Sequence, residues 1–568
     1  MTNTQIVEML DEIALLLELA GENPCTIRSY AKVARVLEGI AEPVEALVAT
    51  PRLRELDCIG DALEKKLGEY VATGRLEYLE HLRLRFPEEV LELLRVPGLG
   101  PARVRLLHER HRIGSLERLR HACESGELAA IEGFGSALQQ QVMLGVEVVE
   151  GQRRLFRVNE AMLAAHLIMD WLVESSLAQR VEIAGSLRRR REVVKDINIV
   201  AASDQPEAVI DRFEASPNAA ELTARGPGRA SVCLTNGIPV ELRVSSIAAF
   251  PFALAHFTGS RAHNAVLRQR AAQRGLRLSE HGLLGDNDTP LDCADENALY
   301  AALGMPHVPP ELRENSGEFD AAFFPRLIEP ADIRGVVHCH STWSDGKTTL
   351  EELAETAAGL GYDYLAVTDH SASSALANGM PPERVARQHE AIDALNGRSR
   401  GFKIVKGVEA DIGSDGALDY DDELLSRFEV VIASVHNALE MNEDEATRRV
   451  VKALESRHTM ILGHPTGRML LGRTGYPLNM DKVIDAAVAN GVALEINVNP
   501  GRLDLDWRHM REARDRGAKF VIGPDAHRIR GLNNIPYGVG VARKGWLRRE
   551  DVLNCQPLGA FLQCLRKR

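Results

Sequence analysis

The last third of the chain contains a series of short apolar runs, and nearly every run ends in a residue type that binds metal ions. The runs are rich in β-branched residues and alternate with helical patterns, which is typical of parallel strands buried on both faces. In a barrel of such strands the carboxyl ends meet at one rim, so the polar side chains should gather in one pocket. The runs are VVHCH, YLAVTDH, KIVKGVEAD, VVIASVH, MILGHP, VALEINVN and FVIGPDAH.

The residues at these run ends form a mixed set of nitrogen and oxygen ligands. Six histidines and three carboxylates suit zinc, manganese or iron. Surface histidines scattered at random would reach the strand ends only by chance, so a metal centre is the favoured interpretation. Asp369 and Asp411 also stand at run ends. The nine candidate ligands are His338, His340, Asp345, His370, Glu409, His436, His464, Asp525 and His527.

Length, charge and cysteine content limit the domain number, the mode of DNA binding and the location of the protein. A chain of 568 residues should fold into several domains. Its net charge of −13 excludes a uniformly basic coat for nucleic acid, so any contact with DNA has to use local patches or backbone amides. The eight cysteines form no CxxC pair, which indicates reduced thiols. The first residues lack the features of a signal peptide and no apolar stretch is long enough to span a bilayer, so we expect a cytoplasmic protein without membrane contact.

Residues 1 to about 150 are expected to be all-helical, with three similar glycine turns at 56–67, 96–107 and 131–142. Each turn places an apolar–glycine pair before a helix, which would point backbone N–H groups at a phosphate. The turns resemble helix-hairpin-helix turns, which hold the DNA backbone independently of sequence. A single turn would more often be a plain helix connection, but three favour DNA binding, although Cys58 replaces a usual glycine. The glycines expected to contact DNA are Gly60, Gly98, Gly100, Gly133 and Gly135.

Residues 151 to about 315 show a mixed α/β pattern. One strand region carries a Gly-Ser turn, four arginines at 188–191 and Asp196. A second strand candidate carries Glu241, and a turn, a basic helix and a short strand follow it. Residues 305–333 are rich in proline, which favours an irregular linker.

The motifs together resemble a known family. NPCTIRSYAKVARVLEGI, GSLRRRREVVKDIN, VELRV and HFTGSRAHN resemble family X DNA polymerases, whereas HCHSTWSDG, TDHS, GVEADI, SVH, GHPTGR and PDAH resemble the PHP phosphoesterase domain. This order is similar to that of bacterial family X polymerases, and the resemblance covers essentially the whole chain. It implies a multidomain fold with an all-α helix-hairpin-helix N-terminal region, an α/β nucleotidyltransferase-like palm and a C-terminal (β/α)7-type PHP barrel. The expected domains are a lyase-like helical domain with a helix-hairpin-helix (1–80), a fingers-like helix-hairpin-helix domain (81–150), the palm (151–250), a thumb-like domain (251–315), a linker (316–334) and the PHP domain (335–568).

The resemblance also implies how up to three ions, zinc or manganese, divide the ligands of the PHP domain. His338, His340, Glu409 and Asp525 would hold one ion, Glu409 with His436 and His464 a second, and Asp345, His370 and His527 a third. Such ions lower the pKa of a water and neutralise charge on a phosphodiester, which suits hydrolysis. Similar PHP domains act as 3′–5′ exonucleases and, in some members, cut at abasic sites or remove 3′ blocking groups.

The palm departs from the family pattern at its chemistry. Nucleotidyl transfer in the family uses three aspartates to hold two magnesium or manganese ions, and the first two lie on one strand as Asp-x-Asp, facing the same side. Here that pair is Asp196 and Asn198, and an uncharged asparagine is a poor ligand for magnesium. Glu241 replaces the third aspartate, in a type of site where a misplacement of about 1 Å costs roughly 100-fold in rate.

Other palm positions follow the family more closely. Lys195 replaces a glycine and His256 replaces a tyrosine, but several nucleotide-binding positions are retained. The remaining arginines of 188–191 are expected to be solvated or to touch DNA phosphates. The retained positions are Gly185, Ser186 and Arg189 for the triphosphate, Arg243 beside the acidic site, and Thr258, Gly259 and Asn264 along the nucleotide.

Lys66 aligns with the lysine that eukaryotic relatives use as a Schiff-base nucleophile on 5′-deoxyribose phosphate. An amine beside phosphate-binding amides could do this chemistry if its pKa were lowered. A solvated helix lysine, like Lys65, is the favoured interpretation, because Cys25 and Thr26 replace supporting basic residues.

The leading hypothesis is a DNA-repair enzyme whose PHP barrel hydrolyses phosphodiesters on gapped, nicked or abasic DNA, with weak or lost synthesis by the palm. One alternative is an active gap-filling polymerase that uses dNTPs and edits with its PHP nuclease. A second is a non-catalytic scaffold for damaged DNA. A third, a phosphatase for small molecules, is disfavoured by the DNA-binding region. Nothing in the sequence requires more than a monomer.

Overall fold

The computed structural model describes residues 3–38, 44–48, 53, 59–152, 155–321, 323–399 and 401–566. The chain forms two compact units, Met1–Arg154 and Leu155–Arg568. Among the described residues, none of the helices combines the length and the apolar character that crossing a bilayer requires.

The first unit is all-helical over its described residues, as the sequence predicts. Apolar side chains recur at helical spacing, as at Ile6, Leu10, Ile13 and Leu17, and pack into a core shared by the helices. The helices are α1 (Asn3–Ala20), α2 (Pro24–Glu38), α3 (Val44–Val48), α4 (Asp61–Thr73), α5 (Glu77–Arg85), α6 (Glu88–Glu92), α7 (Pro101–His111), α8 (Leu116–Glu124), α9 (Glu127–Ala130) and α10 (Gly135–Gln152).

The second unit begins with a mixed α/β region, which lies where the sequence predicts the palm and which we call the palm. Its elements are β1 (Phe156–Arg157), α11 (Val158–Glu174), β2 (Arg180–Ile183), α12 (Gly185–Arg188), β3 (Val193–Val194), β4 (Ile197–Ala202), α13 (Pro206–Glu214), β5 (Ala219–Gly226), β6 (Arg229–Leu234) and β7 (Pro239–Ser245). The main sheet has the order β2-β4-β7-β6-β5. Its strands β4 and β7 run parallel, which places Asn198 directly beside Glu241.

A smaller subdomain follows the palm. Its three strands form an antiparallel sheet, and its helices pack around the buried side chains of Leu299 and Tyr300. The elements are α14 (Phe250–Thr258), α15 (Arg261–Gln273), β8 (Arg277–Ser279), β9 (Gly282–Leu284), β10 (Pro290–Leu291) and α16 (Glu296–Ala302).

The last part of the chain is a barrel of parallel strands. The strands follow one another in space in the same order as in the sequence, and a bridge between Cys339 and Ala526 joins the first strand to the segment after the last. The strands are β11 (Gly335–Cys339), β12 (Tyr364–Val367), β13 (Lys403–Asp411), β14 (Val430–Ser434), β15 (Ile461–Leu462), β16 (Ala493–Asn497) and β17 (Phe520–Gly523). The predicted seven-stranded β/α barrel is therefore confirmed.

Helices cover the outside of the barrel, with at least one after every strand, so both faces of the strands are buried. Every residue of β11, β12, β14, β16 and β17 is buried. The helices are α17 (Leu350–Gly359), α18 (Pro382–Arg398), α19 (Asp422–Leu425), α20 (Glu443–Glu455), α21 (Met480–Ala489), α22 (Trp507–Asp515), α23 (Ile535–Lys544) and α24 (Leu558–Leu565).

The segment between the smaller subdomain and the barrel is irregular, as its prolines predict, yet it is tightly packed. The Lys544 ammonium on α23 contacts the Glu314 carboxylate at 2.6 Å, and Arg189 of the palm reaches the same carboxylate at 3.0 Å. Arg543 pairs with Glu311 at 2.8 Å. Palm, connecting segment and barrel thus share one set of buried and partly buried charges. We call Arg189, Glu311, Glu314, Arg543 and Lys544 the charged junction.

Candidate metal centre and the altered palm site

The metal-ligand candidates lie where barrel strands end. His338 is on β11 and Glu409 on β13, whereas His464 and Asp525 closely follow β15 and β17. The backbone φ angles are +74° at His338, +26° at His464 and +48° at Asp525, values that few non-glycine residues adopt. Such angles recur at functional sites, where the surrounding structure holds the chain in place. Here they bend the chain at the barrel mouth.

Glu409 lies at the centre of the group. Both of its carboxylate oxygens are within 3.5 Å of histidine nitrogens, and the side chain is almost completely buried. Its Oε1 is 3.3 Å from His338 Nε2, 3.2 Å from His436 Nε2 and 3.0 Å from His464 Nε2, and its Oε2 is 3.5 Å from His340 Nε2 and 3.2 Å from His370 Nδ1.

The remaining candidates flank this centre. Asp525 Oδ1 is 3.3 Å from His340 Nε2 and 3.7 Å from His338 Nε2. Asp345 is 3.4 Å from His527 Nε2 and 3.7 Å from His370 Nε2. The structure therefore brings all nine candidate ligands into one cluster.

The spacings fit metal coordination. Two donor atoms that each lie about 2.1 Å from one ion, at a tetrahedral angle, are roughly 3.4 Å apart. Both ring nitrogens of His340, Nε2 of His338 and Oε2 of Glu409 are buried and have no hydrogen-bond partner among the described residues. Buried polar atoms are rarely left without a partner, and divalent cations would supply partners for these nitrogen and oxygen atoms. The donor set is therefore suited to divalent cations.

The clusters differ in detail from the division among ions that the family resemblance implies. His338, His340 and Asp525 form one group as expected, with Glu409 beside them. His340 also joins Asp345, His370 and His527, and His370 rather than His464 completes the group of Glu409 and His436. His464 still contacts Glu409, so its place is at the edge of the second group.

Further carboxylates orient the histidines. Glu495 on β16 lies 2.5 Å from His338 Nδ1, and Asp411 lies 2.5 Å from His436 Nδ1. Such second partners fix the ring orientation and raise the basicity of a ligating imidazole. Asp369 accepts hydrogen bonds from Ser341, Ser344 and Gln388 instead, so it supports the loops around the site.

The sequence did not single out Glu495. It lies within the run VALEINVN, where a charged residue between apolar ones is the available signal. Asn497, two residues later, donates hydrogen bonds to Glu495 and to Asp525 and so links the orienting carboxylate to a ligand candidate.

The electrostatics reflect charges packed in a buried space. Burial raises the pKa of the Glu409 carboxyl, but the surrounding imidazoles, His436 foremost, outweigh it and hold that pKa well below its usual range. Burial lowers the pKa of His436, yet Glu409 and Asp411 outweigh this effect and raise it to about 10. Burial and the neighbouring imidazoles of His527 and His370 lower the pKa of His340 to about 3. A neutral His340 imidazole is the form that binds a metal ion.

A cavity of about 400 Å³ opens over the cluster, which we call the ligand cavity. Asp345 and His527 stand at its partly exposed edge, and Arg502 lines it with its Nε 3.5 Å from Asp525. The cavity is large enough for a small ligand or one end of a chain.

In the palm, Asp196, Asn198 and Glu241 stand where the family resemblance implies three aspartates. Asp196 is exposed, and its carboxylate accepts a hydrogen bond from the Asn198 side-chain amide at 2.9 Å. Glu241 turns to Arg243, with the two charged groups 2.5 Å apart. Gly185 has φ +64°, and a Cβ there would lie 2.8 Å from the Asn198 amide, so the glycine is required by this close approach.

The other nucleotide-binding candidates are largely engaged within the protein. Thr258 is completely buried, and its backbone oxygen accepts a hydrogen bond from Arg189. The Asn264 amide donates to the backbone oxygens of His256 and Gly259. Ser186 and Arg243 remain partly exposed at the palm surface.

The arginine run has a different environment from the solvent or DNA contact expected for it. Arg188 pairs with Glu296 at 2.7 Å, and Arg190 packs against Gly540 of the barrel. Arg191 lies 3.8 Å from Glu314. The run therefore holds distant parts of this chain together. Its acidic partners lie in distant segments, so the local sequence pattern does not reveal them.

In the first unit, the glycine turns differ in how much of them is described. The part of the first turn that contains Cys58 lies outside the described residues, whereas Gly60 caps the N-terminus of α4. Gly98 and Gly133 have φ of +91° and +88°, angles that favour glycine, and Gly100 caps α7. A Cβ added to Gly60, Gly100, Gly133 or Gly135 would meet no atom within 4 Å, so these backbones are open to a ligand.

Lys66 lies in a partly buried aromatic environment, unlike the exposed Lys65. Its Nζ donates to the Tyr30 hydroxyl at 2.5 Å and lies 3.2 Å from the centre of the Tyr78 ring. Burial lowers the pKa of the Lys66 amine. The interpretation of a freely solvated lysine is therefore wrong.

Comparison with known proteins places the chain in a family. Residues 1–76 match a helix-hairpin-helix domain, 90–147 a SAM-like helix-hairpin-helix tandem, 253–314 the DNA polymerase beta thumb and 337–499 the PHP domain. Over 565 residues the chain is 37% identical to the DNA polymerase/3′–5′ exonuclease PolX of Bacillus subtilis (strain 168), with 98% of each chain covered. The chain belongs to the PolX family. The predicted resemblance, the predicted fold class and the prediction of an enzyme are thereby confirmed.

Shorter matches link the chain to phosphatases. A probable phosphatase of Thermoanaerobacter sp. (strain X514) is 27% identical over 229 residues, which covers 38% of this chain and 88% of the relative. A probable phosphatase of Acetivibrio thermocellus is 30% identical over 199 residues, which covers 34% of this chain and 78% of the relative. Membership of the family and the PHP match imply divalent metal ions, consistent with the clustered donors.

Proposed function

We propose that this chain is a DNA-processing nuclease that hydrolyses phosphodiesters at the barrel mouth, as a 3′–5′ exonuclease, while DNA synthesis by its palm is weak or lost. Support comes from the contrast between two sites in one chain. Nine donor residues, Glu409 at their centre, form one cluster in which several buried donor atoms are unpaired among the described residues. In the palm, Asn198 and an ion-paired Glu241 stand in place of two of the three aspartates that the family resemblance implies.

The residues of the cluster would hold zinc or manganese, up to three ions. Bound ions would supply an acidified water and neutralise charge on the phosphate. Glu495 and Asp411 keep the His338 and His436 rings oriented with the opposite nitrogen toward Glu409. Arg502 lines the same cavity and would bind a non-bridging phosphate oxygen, because a guanidinium matches the geometry of phosphate.

The weak or lost synthesis that we propose would follow from the reduced negative charge at Asn198 and Glu241. Magnesium favours carboxylate ligands, and Asn198 presents an amide that already donates to Asp196. The Glu241 carboxylate is neutralised by Arg243. The two ions of nucleotidyl transfer would therefore have one carboxylate without a cationic partner, that of Asp196, instead of three.

The test uses purified protein, manganese, dNTPs and a 5′-labelled primer annealed across a one-nucleotide gap. Wild type and His340→Ala are compared, because the nuclease could mask synthesis. We expect wild type to shorten the primer and the variant to leave it intact. Extension by the variant would show that the palm still polymerises, which is the hypothesis of a gap-filling polymerase with an editing nuclease. That activity would disappear in Asp196→Ala.

Two other functions make different predictions. A non-catalytic scaffold would bind damaged DNA with unchanged affinity when His340 and Asp525 are both replaced, and wild type would release no nucleotide. A small-molecule phosphatase, the activity named for the shorter relatives, would release phosphate from simple phosphomonoesters faster than it cuts DNA. The helix-hairpin-helix matches of the first unit favour DNA as the substrate, with gapped, nicked or abasic sites as the preferred forms and a role in repair.

A second activity is supported by the environment of Lys66. Burial lowers the pKa of the Lys66 amine and so favours the neutral amine, the form that attacks the aldehyde of an abasic sugar. Borohydride should trap wild type, but not Lys66→Arg, on DNA that carries a 5′-deoxyribose phosphate. Lys65→Arg is the matched control, and equal trapping of both variants would contradict the role of Lys66.

A further inference from the structure

A second cavity, of about 730 Å³, lies beside the metal-ligand cluster. It shares Asp525 and His527 with the ligand cavity, so the two cavities meet at the candidate ligands. Its wall combines two parts of the second unit, because some residues come from the palm and others from the loops after β15, β16 and β17. We call it the seam groove, and its polar lining includes Arg157, Asn159, Asn499, Arg528 and Arg530.

The seam groove is cationic in a chain whose net charge is −13. Arg157, Arg528 and Arg530 line it, and Asp525 is the only acidic residue among the described lining residues. Because Asp525 belongs to the donor cluster, a bound metal would offset its charge. A concave surface with charges of one sign raises the local concentration of a ligand of the opposite sign.

Two lining residues on the palm side have unused polar atoms. Arg157 Nε and Asn159 Oδ1 are buried and find no hydrogen-bond partner within the described parts of the chain. The rest of the Arg157 guanidinium is held in place, since Nη2 donates to the Leu470 backbone oxygen at 3.3 Å and Nη1 lies 3.6 Å from Glu160. The guanidinium is thus held at the wall of the groove, where its positive charge favours an anionic ligand, whereas Asn159 Oδ1 is an acceptor and offers a phosphate nothing.

The two cavities differ in the charge that they offer. The ligand cavity has one arginine, Arg502, whereas the seam groove has three. Cutting a terminal phosphodiester divides a strand into one nucleotide and a remainder that still carries several phosphates. The phosphate-rich remainder needs the more cationic cavity, because phosphate contacts supply most of the affinity for a nucleic acid chain.

We propose that the seam groove binds the phosphate backbone of the single DNA strand on the 5′ side of the bond being cut, and that the ligand cavity receives the 3′-terminal nucleotide. This inference rests on the proposed nuclease function. It gives the palm a role in the nuclease reaction, since Arg157 belongs to the palm. It also predicts a length preference, because a dinucleoside monophosphate has no phosphate on the 5′ side of its single linkage.

The test compares cleavage of a single-stranded six-nucleotide DNA with cleavage of a dinucleoside monophosphate, using the full chain with manganese. The measured quantity is the ratio of kcat/KM for the longer substrate to that for the shorter. Arg530→Ala and Arg157→Gln should each lower the ratio several-fold, and the double variant should lower it about ten-fold, as expected for two exposed ion pairs to phosphate. The dependence of log kcat/KM on log salt should become shallower by about 0.7 per lost contact.

Arg549→Ala is the matched control. Arg549 is an exposed arginine near Val552, which pairs with the first residue of β17 at the opposite end of the barrel. The proposal is overturned if Arg530→Ala and the double variant keep the wild-type ratio and salt dependence, or if Arg549→Ala changes them equally. Melting curves show whether Arg157→Gln is folded, and Arg530→Ala alone decides the case if it is not. A wild type that cuts neither substrate would contradict the proposed function itself, and with it this inference.

Discussion

Restoring the acidic ligands of the palm should restore DNA synthesis. The change is Asn198→Asp together with Glu241→Asp, made in the His340→Ala background so that the nuclease does not degrade the product. Asn198 and Glu241 are neighbours on parallel strands, so the two new carboxylates and Asp196 would share one face of the sheet.

The magnitude follows from the observed distances. The Asn198 amide lies 2.9 Å from the Asp196 carboxylate. A carboxylate in its place would repel Asp196 by about 1.4 kcal/mol in water and about 6 kcal/mol at an effective dielectric constant of about 20. A divalent cation relieves this repulsion, so the variant should bind magnesium more tightly than wild type. Glu241→Asp shortens the side chain by one methylene and moves its carboxylate by roughly 1.5 Å. A misplacement of about 1 Å in such a site costs roughly 100-fold in rate.

The assay is primer extension across a one-nucleotide gap with magnesium or manganese. We expect extension by the double variant to exceed that of His340→Ala alone by at least roughly 100-fold. Asn198→Ser is the matched control, since it removes the amide without adding a carboxylate and should give no gain. Equal extension with and without the restored carboxylates would refute the argument that the missing acidic ligands limit synthesis.

Three further predictions concern the barrel and its connection to the palm. Glu495→Gln should weaken metal binding by about 10- to 100-fold, because the His338 ring loses the carboxylate that orients it. Titration calorimetry with zinc or manganese measures the affinity, and an unchanged affinity would contradict the orienting role. Removal of metal by a chelator should lower the melting temperature of wild type, since the clustered donors lose the counter-charge of the ions. The melting temperature of His340→Ala should fall less, and an equal fall in both proteins would argue against metal at this cluster. Lys544→Met should destabilise the second unit by about 3–5 kcal/mol, since it leaves the Glu314 carboxylate without the buried Lys544 ammonium. Chemical denaturation measures the loss, with Arg549→Met at an exposed position as control, and a loss below about 1 kcal/mol would show that the charged junction adds little stability.

The barrel and most of its site could be predicted from the sequence, for a physical reason. A strand buried on both faces has to be a continuous apolar run, so the polar residue at its end is easily recognised. His338, Glu409 and Asp525 are visible in this way. Glu495 is not, because it stands inside its run and acts by orienting His338 rather than as a ligand.

Long-range partners could not be predicted. Arg189 matched a nucleotide-binding motif, yet Glu314, more than a hundred residues later, holds its side chain. Lys66 looked like any helix lysine, and its burial depends on Tyr30 and Tyr78 on other helices. Local patterns record backbone geometry and burial, whereas ion pairs between distant segments leave no periodic trace.

The charged junction has a consequence for how this chain can change over time. Arg189 of the palm, Glu314 of the connecting segment and Lys544 of the barrel are packed against one another with little access to solvent. A gene truncated to the barrel would encode Lys544 without its counter-ion Glu314, so the barrel of this chain depends electrostatically on the connecting segment and the palm. Selection for the nuclease alone would then preserve the fold of the palm while leaving positions such as Asn198 and Glu241 free to drift. An ancestral polymerase could thus lose its activity and still keep its shape.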